Sequence, residues 1–455
     1  MNLLSKVTSF NTFFWGYILV FLLCGTGIFF SFRLKFVQIR KFKKCFSDTF
    51  GKLTLHGEKA GNEGMSSFQS LATAIAAQVG TGNLAGAATA ITMGGPGAIF
   101  WMWLSAFFGM STIFAEASLA QKYKTRVNGE ITGGPAYYIK AAFKGNFGKI
   151  LAACFSVFII LALGFMGNMV QSNSIGAAFK NSFNINPLIV GIIVAILAAF
   201  IFFGGRAKIA SVTEKIVPIM ALFYIIGSVI IIILNASNIL PAFESIFVGA
   251  FNPAAATGGV IGATVRQAVR YGVSRGLFSN EAGMGSTPHA HAIAKVKHPC
   301  DQGIVAMMGV FIDTFIILTL TALVILTTGV LNGKTTGIEL TQIAFNAGLG
   351  HFGHIFIAIC LFFFAFSTIV GWYFFGEINI KYLFGEKATK YYTFAVLFFI
   401  ILGSCLKVDL VWELADTFNG FMVIPNLLAL LALNKVVVKL LKDYEKDEEE
   451  NLLDK

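Results

Sequence analysis

The chain predicts an all-α integral membrane protein of about eleven transmembrane helices, and three observations predict it. Of its 455 residues, 56% are hydrophobic and only 13% charged, against about 25% charged in an ordinary soluble globule. Apolar stretches of roughly 20 residues, long enough to cross a bilayer as a helix, recur from end to end. Two of them are interrupted by glycine-rich polar runs, Ala77-Gln78-Val79-Gly80-Thr81-Gly82-Asn83 and Phe278-Ser279-Asn280-Glu281-Ala282-Gly283-Met284-Gly285-Ser286.

Spans are expected at roughly 11–32, 67–92, 97–121, 150–174, 187–204, 214–235, 258–296, 302–328, 352–377, 390–406 and 410–433, in one polytopic domain over 1–455. The first is a retained anchor, not a cleaved leader: its apolar run is long, and the basic cluster Arg33 to Lys44 follows it with no Ala-x-Ala site. The 33–65 loop holds eight Lys/Arg, which places it in the cytoplasm and the N-terminus outside. Alternate loops from 122, 204, 295 and 381 carry six, three, two and three Lys/Arg, whereas the opposite loops hold only Lys180, Lys334 and Lys407. The tail, 434–455, is then cytoplasmic, and its mixed charges are expected to form a solvated or membrane-surface helix with no chemistry. The net charge of +11 is spread over these loops rather than gathered in one patch, so topology and not nucleic-acid binding explains it. Six cysteines without a CxxC pair support neither a disulfide framework nor a metal cluster.

An unpaired backbone N–H or C=O in hydrocarbon costs several kcal/mol, so a broken helix survives only where protein, an ion or a polar solute supplies partners. Both breaks are therefore candidate binding elements. With the first span set aside, they fall in the first and sixth of ten remaining spans. That is the 5+5 inverted-repeat layout of the leucine-transporter-type fold, with repeats over 67–235 and 258–433. In such a layout half-helix N-termini present free N–H groups to a carboxylate while freed carbonyls hold a cation.

Four motifs then carry a resemblance. They are Gln78-Val79-Gly80-Thr81-Gly82-Asn83-Leu84-Ala85-Gly86; Gly94-Gly95-Pro96-Gly97-Ala98 with Trp101-Met102-Trp103; Thr132-Gly133-Gly134-Pro135; and Gly276-Leu277-Phe278-Ser279-Asn280-Glu281-Ala282-Gly283-Met284-Gly285-Ser286. Together they resemble the alanine or glycine:cation symporter family from about residue 60 to 430. The resemblance implies sodium- or proton-coupled uptake of alanine or glycine across the bacterial inner membrane or its archaeal equivalent. No cofactor and no obligate protein partner is implied; the partners are the amino acid, the coupling ion and membrane lipid.

At the first break, Gly80 and Gly82 leave amides open, and those of Thr81 and Gly82 are the expected cradle for a substrate carboxylate. Asn83 can donate to that carboxylate or offer oxygen to a cation, and Gln78 can meet the substrate amine; both can equally brace the break. Asn280 joins them from the second break. By similarity to sodium-coupled transporters of this fold, the carbonyls of Ala76 and Val79 would face the hydroxyls of Ser367 and Thr368 around Na+. The alternative for those hydroxyls is a bond back to their own helix. A small substrate calls for a tight pocket, and Phe165, Phe278 and Trp372 are the expected walls, with Asn168 or Gln171 near the amine.

Arg266, Arg270 and Arg275 precede the second break, each costing roughly 2.5–3.5 kcal/mol at the bilayer centre, so they must point inward, reach an interface or pair. Glu281, Asp313 and Glu116 are possible partners. His289 with His291, and His351 with His354, lack Cys or acidic neighbours at zinc spacing, which argues against a metalloenzyme. A channel should repeat a pore motif, which two breaks five spans apart do not do.

Overall fold

A computed structural model describes residues 3–51, 64–252, 263–406 and 409–453. The expected start of the seventh span at 258, and Lys52, Lys59 and Lys407, lie outside the described residues. Among the described residues, eight helices are long and apolar enough to cross a membrane. In chain order the main helices are α1 (Leu3–Arg33), α2 (Phe42–Phe50), α3 (Ser67–Gln78), α4 (Ala87–Gly94), α5 (Ala98–Lys122), α6 (Gly145–Phe183), α7 (Pro187–Phe202) and α8 (Gly205–Leu234). The second half follows as α9 (Ala236–Phe251), α10 (Val265–Asn280), α11 (Pro288–Ala292), α12 (Pro299–Thr327), α13 (Gly337–Leu349), α14 (Phe352–Phe384), α15 (Glu386–Cys405), α16 (Asp409–Ala432) and α17 (Asn434–Leu453). Strands β1 (Thr125–Val127) and β2 (Glu130–Thr132) make a hairpin in the 122–145 connection.

Both interrupted segments open on the same device. Ser66 and Gln69 cap each other's backbone at the start of α3, and Thr264 and Gln267 do so at the start of α10, each pair satisfying two amides that a helix start leaves orphaned. The start of the first segment also meets the end of the second: Met65 N–H donates to Ile293 O at 3.0 Å and Lys295 N–H to Met65 O at 2.9 Å. Around the breaks, α5 packs against α1, α10 and α12, while α14 packs against α3, α6 and α8. The first helix is tied to α16, since Trp15 Nε1 donates to Asp416 O at 3.0 Å and Asn11 Nδ2 to a Glu413 carboxylate oxygen at 2.6 Å.

Two segments expected as loops are helical: α9, and α13, which reaches the first break through Thr341 Oγ1 donating to Leu84 O at 3.0 Å. The tail also differs from the expectation of a solvated or membrane-surface helix. Val437, Leu440, Leu441 and Tyr444 are spaced on one face of α17 and buried against the protein. Its acidic side pairs with the basic segment after α1, Arg40 to Glu445 at 2.7 Å and Lys41 to Glu448 at 2.6 Å. Those acids have basic partners within the chain itself, which is why the helix docks there.

Candidate binding site at the two helix breaks

The regular α-helix of α3 ends at Gln78, where Val79 turns extended (φ −83°, ψ 92°), and a wide π-helical turn over Gly82–Gly86 leads into α4. Inside the gap, Gly80 N–H donates to Asn83 Oδ1 at 2.9 Å and Thr81 N–H to Gln171 Oε1 at 3.2 Å. The second break begins three residues later than Phe278. Here α10 runs to Asn280, Glu281 turns left-handed at φ 58°, and Gly283 and Gly285 follow at φ 85° and 80°, a backbone region that glycine enters without a Cβ penalty. The two gaps touch: a Cβ on Gly82 would sit 3.1 Å from Ser279 Cα.

Polar side chains bridge them. Gln78 Nε2 donates to Asn280 O at 2.7 Å, and Asn280 Nδ2 to Thr314 Oγ1 at 3.1 Å. Asn83 Nδ2 and Ser279 Oγ both donate to Asp313 Oδ1, at 2.6 and 2.8 Å. Gln78 Oε1, which lies against Gly309 of α12, and Thr81 Oγ1 are buried without a protein partner, which is unusual for interior polar atoms.

On the α14 side, Thr368 Oγ1 lies 3.0 Å from Ala76 O, 3.3 Å from Val79 O and 3.0 Å from Phe364 O. Ser367 Oγ lies 3.4 Å from Ala76 O and 2.9 Å from Phe364 O. A hydroxyl carries one proton, so Thr368 cannot donate to three carbonyls at once. The surplus oxygens form a small electronegative nest on hard, neutral ligands, the donor type that suits an alkali cation. Bonding back to the helix, the alternative for these hydroxyls, also occurs, through Phe364 O.

The acids expected to neutralise the arginines do something else. Glu116 takes Gly283 N–H and Gly285 N–H at 3.0 Å each and Asn426 Nδ2 at 2.6 Å, so it clamps the unwound backbone. Glu281 accepts from Trp372 Nε1 and Ser286 Oγ, and Asp313 from Asn83, Ser279 and Thr314. All three carboxylates are 0% exposed and none has a basic partner among the described residues. Their neighbours are the amides and hydroxyls freed by the breaks, which reach them at shorter range than any arginine. Arg275 pairs with Asp416 at 3.2 Å, while Arg266 lies over Tyr17 and Arg270 over Tyr271.

Replacing Glu116 with alanine would strand two buried N–H groups, at about 1–3 kcal/mol each. The expected outcome is a melting point lowered by several degrees and loss of transport; an unshifted melt would show that the clamp carries no load.

Of the aromatic walls, Phe278 and Trp372 meet edge to face with centroids 6.0 Å apart, and Trp412, which sequence reasoning missed, lies 5.6 Å from Phe278. Phe165 is not brought to them. It packs on Phe399 and Tyr392 at 4.9 and 5.7 Å, because the face of α6 that meets Trp372 is at Gly167, and two residues along a helix is roughly the opposite side. Asn168 likewise points back at Gly164 O, at 3.0 Å. His289 and His291 are buried in polar contacts: His289 lies between Ser286 O and Asn379, and His291 takes Gln302 Nε2 at 2.7 Å. No group of His, Cys, Asp and Glu able to hold a metal ion exists among the described residues.

Beside Trp412, at the starts of α1, α13 and α16, lies a cavity of about 470 Å³ lined in part by Leu4, Asn173, Arg275, Gly337 and Glu413. At the opposite end an ion-pair network joins the β-hairpin to α8 and α14, with Glu130 3.3 Å from Arg206 and 3.9 Å from Lys381, and Lys381 3.1 Å from Glu377.

Comparison with known proteins bears on this arrangement. The model of the sodium:alanine symporter family matches residues 1–455. The sodium/alanine symporter AgcS of Methanococcus maripaludis is 44% identical over 99% of this chain and 100% of its own length. The amino-acid carrier protein AlsT of Bacillus subtilis is 41% identical over 97% and 92%. The probable sodium/glutamine symporter GlnT of the same organism is 42% identical over 95% and 89%. Among solved structures, MhsT in complex with L-phenylalanine superposes with a TM-score of 0.58 at 14% identity, covering 85% of this chain and 98% of that one. That likeness, at low identity, is one of fold. Two glycine-broken helices in contact, a full-length family match and relatives above 40% identity converge, and the chain belongs to the sodium:alanine symporter family.

Proposed function

We propose that the chain takes up alanine, glycine or both together with Na+, by alternating access, through eleven spans arranged as one N-terminal helix plus two five-helix repeats, with its N-terminus outside and its tail in the cytoplasm. The observation that carries this reading is the convergence of the Ala76 and Val79 carbonyls with the Ser367 and Thr368 hydroxyls directly beside the amides of the first break. A cation there would hold α3 against α14 and fix the conformation of Gly80 and Thr81. The substrate carboxylate would take the Thr81 and Gly82 amides, displacing the Gln171 oxygen. Asn83 would orient it, and the ammonium would meet Gln78 Oε1. Phe278 and Trp372 would bound the side-chain end.

Ion binding and substrate binding then share one flexible element, so each favours the other by the same free energy. Closing the outer cavity over the site and opening the network at Glu130, Arg206 and Lys381 would deliver both to the other side. A zwitterion moving with one Na+ carries one net charge, so 100 mV contributes about 2.3 kcal/mol, roughly fifty-fold accumulation. Labelled alanine uptake into proteoliposomes is expected to rise when valinomycin imposes an inside-negative potential; uptake indifferent to that potential would contradict one-to-one coupling.

A further inference from the structure

The helix outside the repeats, α1, forms one wall of a groove that the transport reading does not use. Between α1, α5 and α10 lies an apolar slot of about 320 Å³, lined by Val20, Phe21, Ile28, Leu104, Val269 and Val273 among others. That volume is at the lower end of ligand-pocket sizes. Midway along it, a Cβ on Gly25 would meet nothing within 4 Å, so protein does not fill the slot at that depth.

The slot's lining carries no charge, but two arginines lie just beyond one end of it, against the turns of α1 that precede Val20. Arg266 and Arg270 stand one turn apart on α10, Arg266 three residues before Val269 and Arg270 three before Val273, so each arginine lies on the valine side of the helix. Arg266 lies with its guanidinium 4.5 Å from the Tyr17 ring centroid. The Arg270 stem runs alongside Gly16, where a Cβ would lie 3.7 Å from its Cδ, and its Nη2 donates to Thr12 Oγ1 at 3.2 Å. Neither arginine has a carboxylate within ion-pair distance among the described residues, whereas Arg275, one turn further on, has Asp416. Thr12, Gly16 and Tyr17 precede Val20 to Ile28 on α1, so both helices place their polar level at the same end of the slot.

Two guanidiniums above an apolar slot on a membrane-spanning surface are complementary to an amphiphile with an anionic head. We propose that this groove is a phospholipid site, with the phosphate on Arg266 and Arg270 and one acyl chain against Val20, Phe21, Val269 and Val273. The lipid would join α1 to the second broken helix and give the extra span a role in supporting α10.

The test uses native mass spectrometry of the full-length protein in detergent micelles, titrated with dioleoylphosphatidylglycerol. Retention of one lipid is expected, with affinity reduced ten-fold or more by the double change Arg266→Gln and Arg270→Gln. Gly25→Leu, which fills the slot and leaves both arginines in place, should reduce it to a similar extent. Glycerol 3-phosphate, the head without a chain, should fail to compete. Unchanged retention in either variant overturns the proposal. So does equal competition by glycerol 3-phosphate, which would mark an anion site without an acyl partner, or a lipid-free dimer whose contact Gly25→Leu abolishes. Thermal melts of both variants identify misfolding, and Gly25→Leu keeps the test intact if the arginine pair is needed for folding.

Discussion

Replacing Thr368 with alanine is expected to raise the sodium concentration for half-maximal transport ten-fold to a hundred-fold. The hydroxyl sits within 3.3 Å of three carbonyl oxygens, and an interaction of that kind with a charged group is worth about 1.5–3 kcal/mol. Its loss removes one ligand but leaves the backbone carbonyls, so binding is weakened rather than abolished. Gly80→Ala should act on the same nest more severely, because its Cβ would fall 2.3 Å from Thr368 Oγ1 and 3.2 Å from the Gln171 side-chain oxygen. Sodium titrations of alanine uptake at matched protein levels check both. A Thr368→Ala protein with unaltered sodium dependence would mean that the hydroxyl merely bonds back to Phe364 O.

Shortening Phe278 should relax selectivity. Its ring is 4% exposed and lies between Trp372 and Trp412, where it would limit the largest side chain admitted beside the first break. Each buried methylene is worth about 0.8 kcal/mol. Leucine, three carbons larger than alanine, could therefore gain at most about 2.4 kcal/mol, roughly fifty-fold in relative affinity. In Phe278→Ala, alanine itself should bind more weakly through lost contacts. Since truncating a buried Phe costs about 3–5 kcal/mol of stability, Phe278→Leu provides a milder version. Competition of labelled alanine uptake by glycine, alanine, valine, leucine and glutamine is the readout, and glutamine is included because one relative bears its name. An unchanged rank order would remove Phe278 from the pocket; a uniform loss for all substrates would assign it to packing alone.

Much of this architecture is legible from local signals. Bilayer-length apolar runs mark the long helices, and glycines mark both interruptions: Gly283 and Gly285 take positive φ, while Gly80 and Gly82 admit the close approach of Thr368 and Ser279. The meeting of Ala76, Val79, Ser367 and Thr368 was expected only through resemblance, since nothing local to residue 76 points to residue 368. Partner choice for the arginines is illegible for a related reason: Glu281, Asp313 and Glu116 are the buried acids the sequence offers, but Arg275 pairs with Asp416, 141 residues away, and nothing local distinguishes that acid from the other three. The apolar run that contains Phe165 carries no marker of helical phase, and it is Gly167, two residues on, that faces Trp372. The short helices α9 and α13 lie in connections where hydropathy of membrane length gives no signal. The pairing of tail acids with the Arg40–Lys44 cluster joins two segments about 400 residues apart; charge places both on one side, but only the packing of α17 brings them within reach.

Coupled flux tests the central claim most directly. In proteoliposomes clamped at zero potential, the account predicts that an inward Na+ gradient drives labelled alanine above its equilibrium level, that alanine accelerates entry of radioactive Na+, and that choline in place of Na+ abolishes accumulation. Thr368→Ala should shift both fluxes to higher Na+ together. Alanine accumulation unaffected by choline replacement, or sodium entry at the same rate with and without alanine, would contradict it.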